Sequence, residues 1–130
     1  MQSTTIYSYK ELIVWQKAVA LSVAIYELTE RFPREEVYGL VSQMRRAAVS
    51  IPSNIAEGRL RGTRKDFLQF LRIAHGSSAE LETQIIIAKS LTKTKDLSYS
   101  KAESLLLEIE KMLRSMMRKM NPKAHQATEA

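Results

Sequence analysis

SIPSNIAEG, residues 50–58, is the stretch whose reading decides the fold. Ile51 and Ile55 stand four apart, the spacing of one helix face. Ser50, Ser53, Asn54 and Glu57 crowd polar groups beside them. Pro52 sits in the interior, where it removes a backbone hydrogen bond and costs about 3 kcal/mol or more. Moving outward, Val37, Val41, Met44, Ala48, Ile51 and Ile55 alternate by four and three residues. The stripe passes Pro52 without a change of phase, so the pattern predicts one continuous helix, kinked at Pro52. That proline should free the carbonyl of Ala48. Glu35 and Glu36 complement the positive end of the dipole near the start. Gly58 or Gly62 is the expected stop.

The same period recurs three more times. Val14, Ala18, Leu21, Ile25, Leu28 and Phe32 mark a first helix, starting near Tyr9 and ended by Pro33. Ser8 and Glu11 have capping-box spacing. Phe67, Leu71, Ala74, Ser78, Leu81, Ile85 and Ala88 mark a third, opening at Thr63 with Asp66 as a weaker capping box and running to Leu91. Ala102, Leu106, Ile109, Leu113, Met116 and Met120 mark a fourth, opened by Ser100 and Glu103 and closed by Pro122. Four helices of similar length with short connections predict an all-α, up-down-up-down antiparallel four-helix bundle. It should span residues 9–121, with an N-terminal extension at 1–8 and a disordered polar tail at 122–130.

With 130 residues the chain fits one domain. It contains no cysteine, which excludes disulfides and thiolate metal sites. No apolar run reaches the roughly 18 residues of a membrane span, and the first residues lack the apolar core of a signal peptide. The expected compartment is the cytoplasm, with no membrane partner.

Formal net charge is +6 and the pI about 9.7, which favours a polyanionic partner. The predicted topology concentrates that charge. The loop between helices two and three carries Arg59, Arg61, Arg64 and Lys65 against Asp66. The end of helix four carries Lys111, Arg114, Arg118, Lys119 and Lys123 with no acid. In this topology both fall at one pole, which is more positive than the whole chain. Two readings compete there. Basic residues at a helix C-terminus complement the dipole, and a solvated loop tolerates arginine. Alternatively the pole binds phosphates and gains affinity by releasing counterions. No recognition-helix, RRM, KH or zinc-finger signature is present, so specific base readout is not expected. Tyr7 and Tyr9 near this pole are candidates for base stacking or, more commonly, for packing.

Beside the core stripe of helix two lie Arg46, Ser50, Asn54 and Glu57; helix three carries a matching row of Ser77, Glu80 and Gln84. Gly76 costs about 1 kcal/mol against alanine in a helix and permits close approach. These rows predict a hydrogen-bonded seam within the bundle or between subunits, with Arg45 and Arg46 pairing with Glu57, Glu80 or Glu82. A catalytic cluster of His75, Glu57 and Glu80 is the weaker reading. Trp15, Val19, Tyr26, Phe70, Ile73, Ile87 and Leu91 lie outside the core stripes, a surplus of apolar surface that points to self-association. Paired Glu-x-x-His motifs are absent, since Arg72 stands three before His75, and His125 falls in the tail; no metal or cofactor is expected.

Two blocks, YGLVSQMRRAAVSIPSNIAEG and FLQFLRIAHGSSAELETQ, with the opening YKELIVWQKAVAL, resemble the four-helix-bundle proteins encoded in intervening sequences of bacterial 23S ribosomal RNA genes. The resemblance spans residues 9–91 and rests most on Arg45, Arg46, Pro52, Asn54, Glu57, Gly58, Gly76, Ser77 and Glu82. It implies a ring-shaped homopentamer and no reaction. A related branch, the accessory variability determinant proteins of diversity-generating retroelements, implies a basic barrel that binds nucleic acid and a reverse transcriptase. Residues and resemblance together predict a non-enzymatic homo-oligomer that binds RNA or DNA through a basic pole. The alternative is a protein adaptor, such as a reverse transcriptase accessory protein, with no nucleic-acid role of its own.

Overall fold

The computed structural model describes residues 8–121. It is all-helical, a four-helix bundle, and no strand occurs among the described residues. The helices are α1 (Ile13–Thr29), α2 (Ser42–Leu60), α3 (Arg64–Ser90) and α4 (Ser100–Met120). Each packs on its neighbour in the chain, and α1 also packs on α4. Contacts run in opposite order along neighbouring helices. Ser22 and Thr29 of α1 meet Ala48 and Arg45 of α2. Ser50 and Gly58 of α2 meet Ser77 and Phe70 of α3. Lys89 and Arg64 of α3 meet Glu103 and Lys119 of α4.

The core is built from the four stripes. Leu21, Ile25, Met44, Ile51, Ile55, Leu71, Leu81, Ile85, Ile109 and Leu113 are its largest fully enclosed apolar side chains. Burying each contributes roughly 1.5–3 kcal/mol relative to exposure. The α2 stripe departs from its reading at its start. A π-helical turn, Val37–Val41, precedes α2. Its i→i+5 bonding adds a residue to the turn and rotates everything before it. Leu40 is therefore buried and Val37 is 44% exposed. The strict four-three pattern placed Val37 inside.

Helix starts differ in detail too. The Ser8 hydroxyl accepts from the Lys10 N–H, but it caps a separate 3₁₀ turn, Tyr9–Glu11, and extended backbone at Leu12 delays α1 to Ile13. Thr63 caps α3 by accepting from the Asp66 N–H at 3.1 Å. The capping box at Ser100 does not form; Tyr99 precedes the helix with no side-chain cap. Glu103 instead accepts from Lys89 Nζ at 2.8 Å.

Pro52 is buried inside α2, which is continuous across it. The carbonyl of Ala48, lacking an N–H from residue 52, accepts from the Ser22 hydroxyl of α1 at 3.1 Å. The same hydroxyl lies 3.1 Å from the Ala18 carbonyl, the usual back-bond of a helical serine. A neighbouring helix thus supplies the donor that proline withholds. The connection between α3 and α4 is anchored by Thr94, whose hydroxyl donates to the Ala88 carbonyl at 2.6 Å. Tyr99 donates in turn to the Thr94 carbonyl at 2.7 Å.

Candidate nucleic-acid interface

At one end of the bundle α2 stops, turns and gives way to α3. Gly62 takes φ 85°, the left-handed conformation that only glycine adopts without strain. The two helices close tightly just before this turn. A Cβ on Gly58 would stand 2.5 Å from Phe70 Cβ, so α2 and α3 approach to a distance only glycine permits. The approach sets Phe67 and Phe70 under the turn as supports for its cations. Arg59 lies over the Phe67 ring at 5.9 Å, and Arg61 over the Phe70 ring at 5.0 Å. Such stacking positions a guanidinium while leaving its charge outward.

Arg64 reaches across to α4, where its Nη2 donates to the Lys119 carbonyl at 3.2 Å. This contact joins the turn to the last turn of α4, which carries Arg118 and Lys119. Among the eight cations singled out from the sequence, Arg61, Arg64, Lys65, Lys111, Arg114, Arg118 and Lys119 are exposed and Arg59 is half-buried. Lys111 and Arg114 stand further along α4, about 13 and 9 Å from its end at 1.5 Å per residue. Two carboxylates share the turn. Asp66 is half-buried in the first turn of α3, and Glu57 accepts from Arg61 Nε at 2.8 Å with both side chains about half exposed. A solvated pair of this kind contributes at most about 1 kcal/mol, so it does not withdraw Arg61 from a stronger anion. Tyr9 is committed elsewhere, edge-on to Trp15 at 5.3 Å between centroids. Tyr7 and Lys123 lie outside the described residues, as do the N-terminal extension before residue 8 and the 122–130 tail.

The polar rows on α2 and α3 meet at one point. Ser50 Oγ and Ser77 Oγ are 2.8 Å apart, and Asn54 Nδ2 donates to both the Ser50 carbonyl and its hydroxyl. Gln84 Oε1 is buried with no hydrogen-bond partner among the described residues. Glu80 and Glu82 are exposed on α3. Gly76 faces open space, with nothing within 4 Å of where a Cβ would stand. Within the one chain, no ion pair joins Arg45 or Arg46 to Glu57, Glu80 or Glu82 among the described residues. Arg45 turns to α1, donating to Thr29 Oγ1 at 2.9 Å and lying 4.4 Å over the Tyr26 ring. Arg46 is exposed. The ring of His75 makes no hydrogen bond or ion pair with Glu57 or Glu80.

Sequence reasoning missed two features. Glu110 of α4 is 8% exposed and shares a hollow with Glu82 and Glu103. Burial raises its carboxyl above the ordinary value; Glu82 adds to the shift by charge and by hydrogen bonding, and Arg114 opposes it. Its spacing, four after Leu106 and three before Leu113, beside the apolar stripe was the available signal. The other is Tyr38, 97% exposed beside Arg45 and Arg46. It lies within the π turn, and nothing in the pattern announces that turn.

No group of three or more His, Cys, Asp or Glu side chains able to hold a metal occurs among the described residues. No helix there is long and apolar enough to cross a membrane. The molecule is thus an all-helical bundle with a cationic end. Its sequence matches the profile of the family described as 23S rRNA-intervening sequence protein over residues 10–115, and the chain belongs to that family. A search among curated proteins finds no match.

Proposed function

We propose that the chain is a non-enzymatic, oligomeric bundle that binds RNA or DNA through phosphate contacts at its basic end, largely without sequence preference. The observation that carries this reading is the Arg64–Lys119 contact. It makes one surface of two basic segments distant in sequence. Six of the cations, Arg59, Arg61, Arg64, Lys65, Arg118 and Lys119, stand there with the carboxylates Glu57 and Asp66, and Lys111 and Arg114 continue along α4 beside Glu110. Phe67 and Phe70 lie under the guanidinium groups of Arg59 and Arg61, and the exposed Arg61 head is suited to phosphate oxygens. Self-association is part of the proposal. Val23, Ile86 and Leu107 are each more than half exposed, which supports a further covering surface. A ring such as the homopentamer that the family resemblance implies would repeat the basic end and multiply weak contacts.

The test is binding of duplex and single-stranded oligonucleotides across a salt series, with mass from light scattering on the same sample. Affinity should fall by about 0.7–0.9 in log K per log salt for each phosphate neutralised. Glu at Arg61, Arg64, Arg114 and Arg118 together should abolish binding while helical content persists. Full retention of binding by that variant, or no binding at low salt, overturns the reading and leaves a protein adaptor.

A further inference from the structure

The opposite end of α2 carries a second cationic surface of different composition. A hollow of about 520 Å³ opens there between the π turn, the start of α2 and the outer face of α1. Tyr26, Tyr38, Ser42, Arg45, Arg46 and Val49 line it, and no carboxylate does. Tyr38 projects almost wholly into solvent at 97% exposure. Val37–Val41 is π-helical, and π insertions recur where a side chain is re-aimed for function. Arg45 is fixed: Nε donates to Thr29 Oγ1, Nη2 to the Tyr26 carbonyl at 3.4 Å, and the plane lies over the Tyr26 ring. Its Nη1 makes no hydrogen bond among the described residues. Arg46 is exposed and has no hydrogen bond or ion pair among the described residues.

An open aromatic face, a pre-stacked guanidinium, a free guanidinium and a hydroxyl answer a ligand that is both flat and anionic. We propose that this hollow binds a nucleotide unit of single-stranded nucleic acid, its unpaired base stacked on Tyr38 and its phosphate held by Arg46 and Arg45 Nη1. The inference rests on the nucleic-acid reading above and refines it. A duplex keeps its bases stacked inside and offers Tyr38 no free face, whereas every unpaired base does. From Arg45 to Arg61 is about 24 Å along α2 at 1.5 Å per residue, so one strand running along the helix reaches both surfaces. The phosphate-binding end then supplies most of the affinity, and the hollow supplies the preference for single strands.

The experiment compares single strands of about 12 nucleotides, within the site sizes of single-strand binders, with duplexes of equal length, using full-length protein and fluorescence anisotropy. Ribo- and deoxyribo-oligonucleotides form separate arms. The unaltered protein should prefer single strands. Tyr38→Ala should weaken single-strand binding by about 5- to 150-fold, the usual loss of one stacked base, and leave duplex binding and the salt slope unchanged. Tyr38→Phe should restore it, because stacking uses the ring and not the hydroxyl. Arg46→Ala should lower the single-strand salt slope by about one phosphate contact. Unchanged single-strand affinity in Tyr38→Ala, with duplex binding intact, overturns this site and spares the basic end. Loss of oligomeric mass in Tyr38→Ala also overturns it, by assigning the hollow to a second copy of the chain. No binding of any oligonucleotide overturns both readings.

Discussion

Pro52 and Ser22 form the most informative residue pair in the bundle. Proline leaves the Ala48 carbonyl without its helical donor, and Ser22 supplies one from α1 at 3.1 Å. An unmet buried carbonyl costs about 1–3 kcal/mol, so Ser22→Ala should destabilise the protein by about that amount in urea unfolding. Pro52→Ala returns an N–H to position 52, and in that background Ser22→Ala should cost much less. Additive losses in the double-mutant cycle would disprove the coupling. The glycines make a second contrast. Gly58→Ala forces a Cβ against Phe70 and should cost about 1–3 kcal/mol. Gly76→Ala meets open space in a helix interior and should gain about 0.5–1 kcal/mol. Reversed signs in the thermal midpoints would refute that assignment. The sequence pattern marks Gly58 as a helix stop and Gly76 as the point of close approach, but the packing of α3 puts the close approach at Gly58 and leaves Gly76 facing open space.

At the scale of elements, Glu110 of α4 faces Glu82 of α3, and its carboxyl is held above the ordinary value. Burial and Glu82 raise the folded-state carboxyl of Glu110 above its unfolded value. A carboxyl with a raised folded pKa binds its proton more readily in the native state. Stability is then greater with the proton on, and declines as pH rises from about 4.5 through the folded value. Glu110→Gln should raise the melting temperature at neutral pH and change it little near pH 4. An equal shift at both pH values would show that the charge is irrelevant. The helical elements themselves were legible because a four-three stripe is a direct consequence of helix geometry. Val14, Met44, Leu71 and Ile109 need no partner to be recognised as core. Val37 was misplaced because a π turn changes phase without changing composition. The Ser100 capping box failed because Glu103 found Lys89 on the adjoining helix, a partner no local spacing encodes.

For the whole molecule, the basic end was legible as two clusters of cations. Arg64 reaching Lys119 depends on the packing of α3 against α4 and was not. Nor was the departure of Arg45 toward Thr29, since it required knowing which face of α2 meets α1. The half-exposed apolar residues bear on assembly. Val23→Asp on α1 and Leu107→Asp on α4 remove no core contact and should leave the circular dichroism spectrum intact. Each should lower the mass measured by light scattering if those faces are covered by other copies. An unchanged mass would place the covering surface elsewhere.

The Ser22 donor also bears on the order in which the chain folds. A peptide containing α2 alone cannot complete its own backbone bonding at Ala48, so its middle should fray in isolation. Completion waits for α1, and the pair should form as one cooperative unit. In native-state hydrogen exchange, amides flanking Pro52 and those of α1 near Ser22 should then open together, with a common free energy. A proline that would break a lone helix thereby makes two helices report on each other's presence.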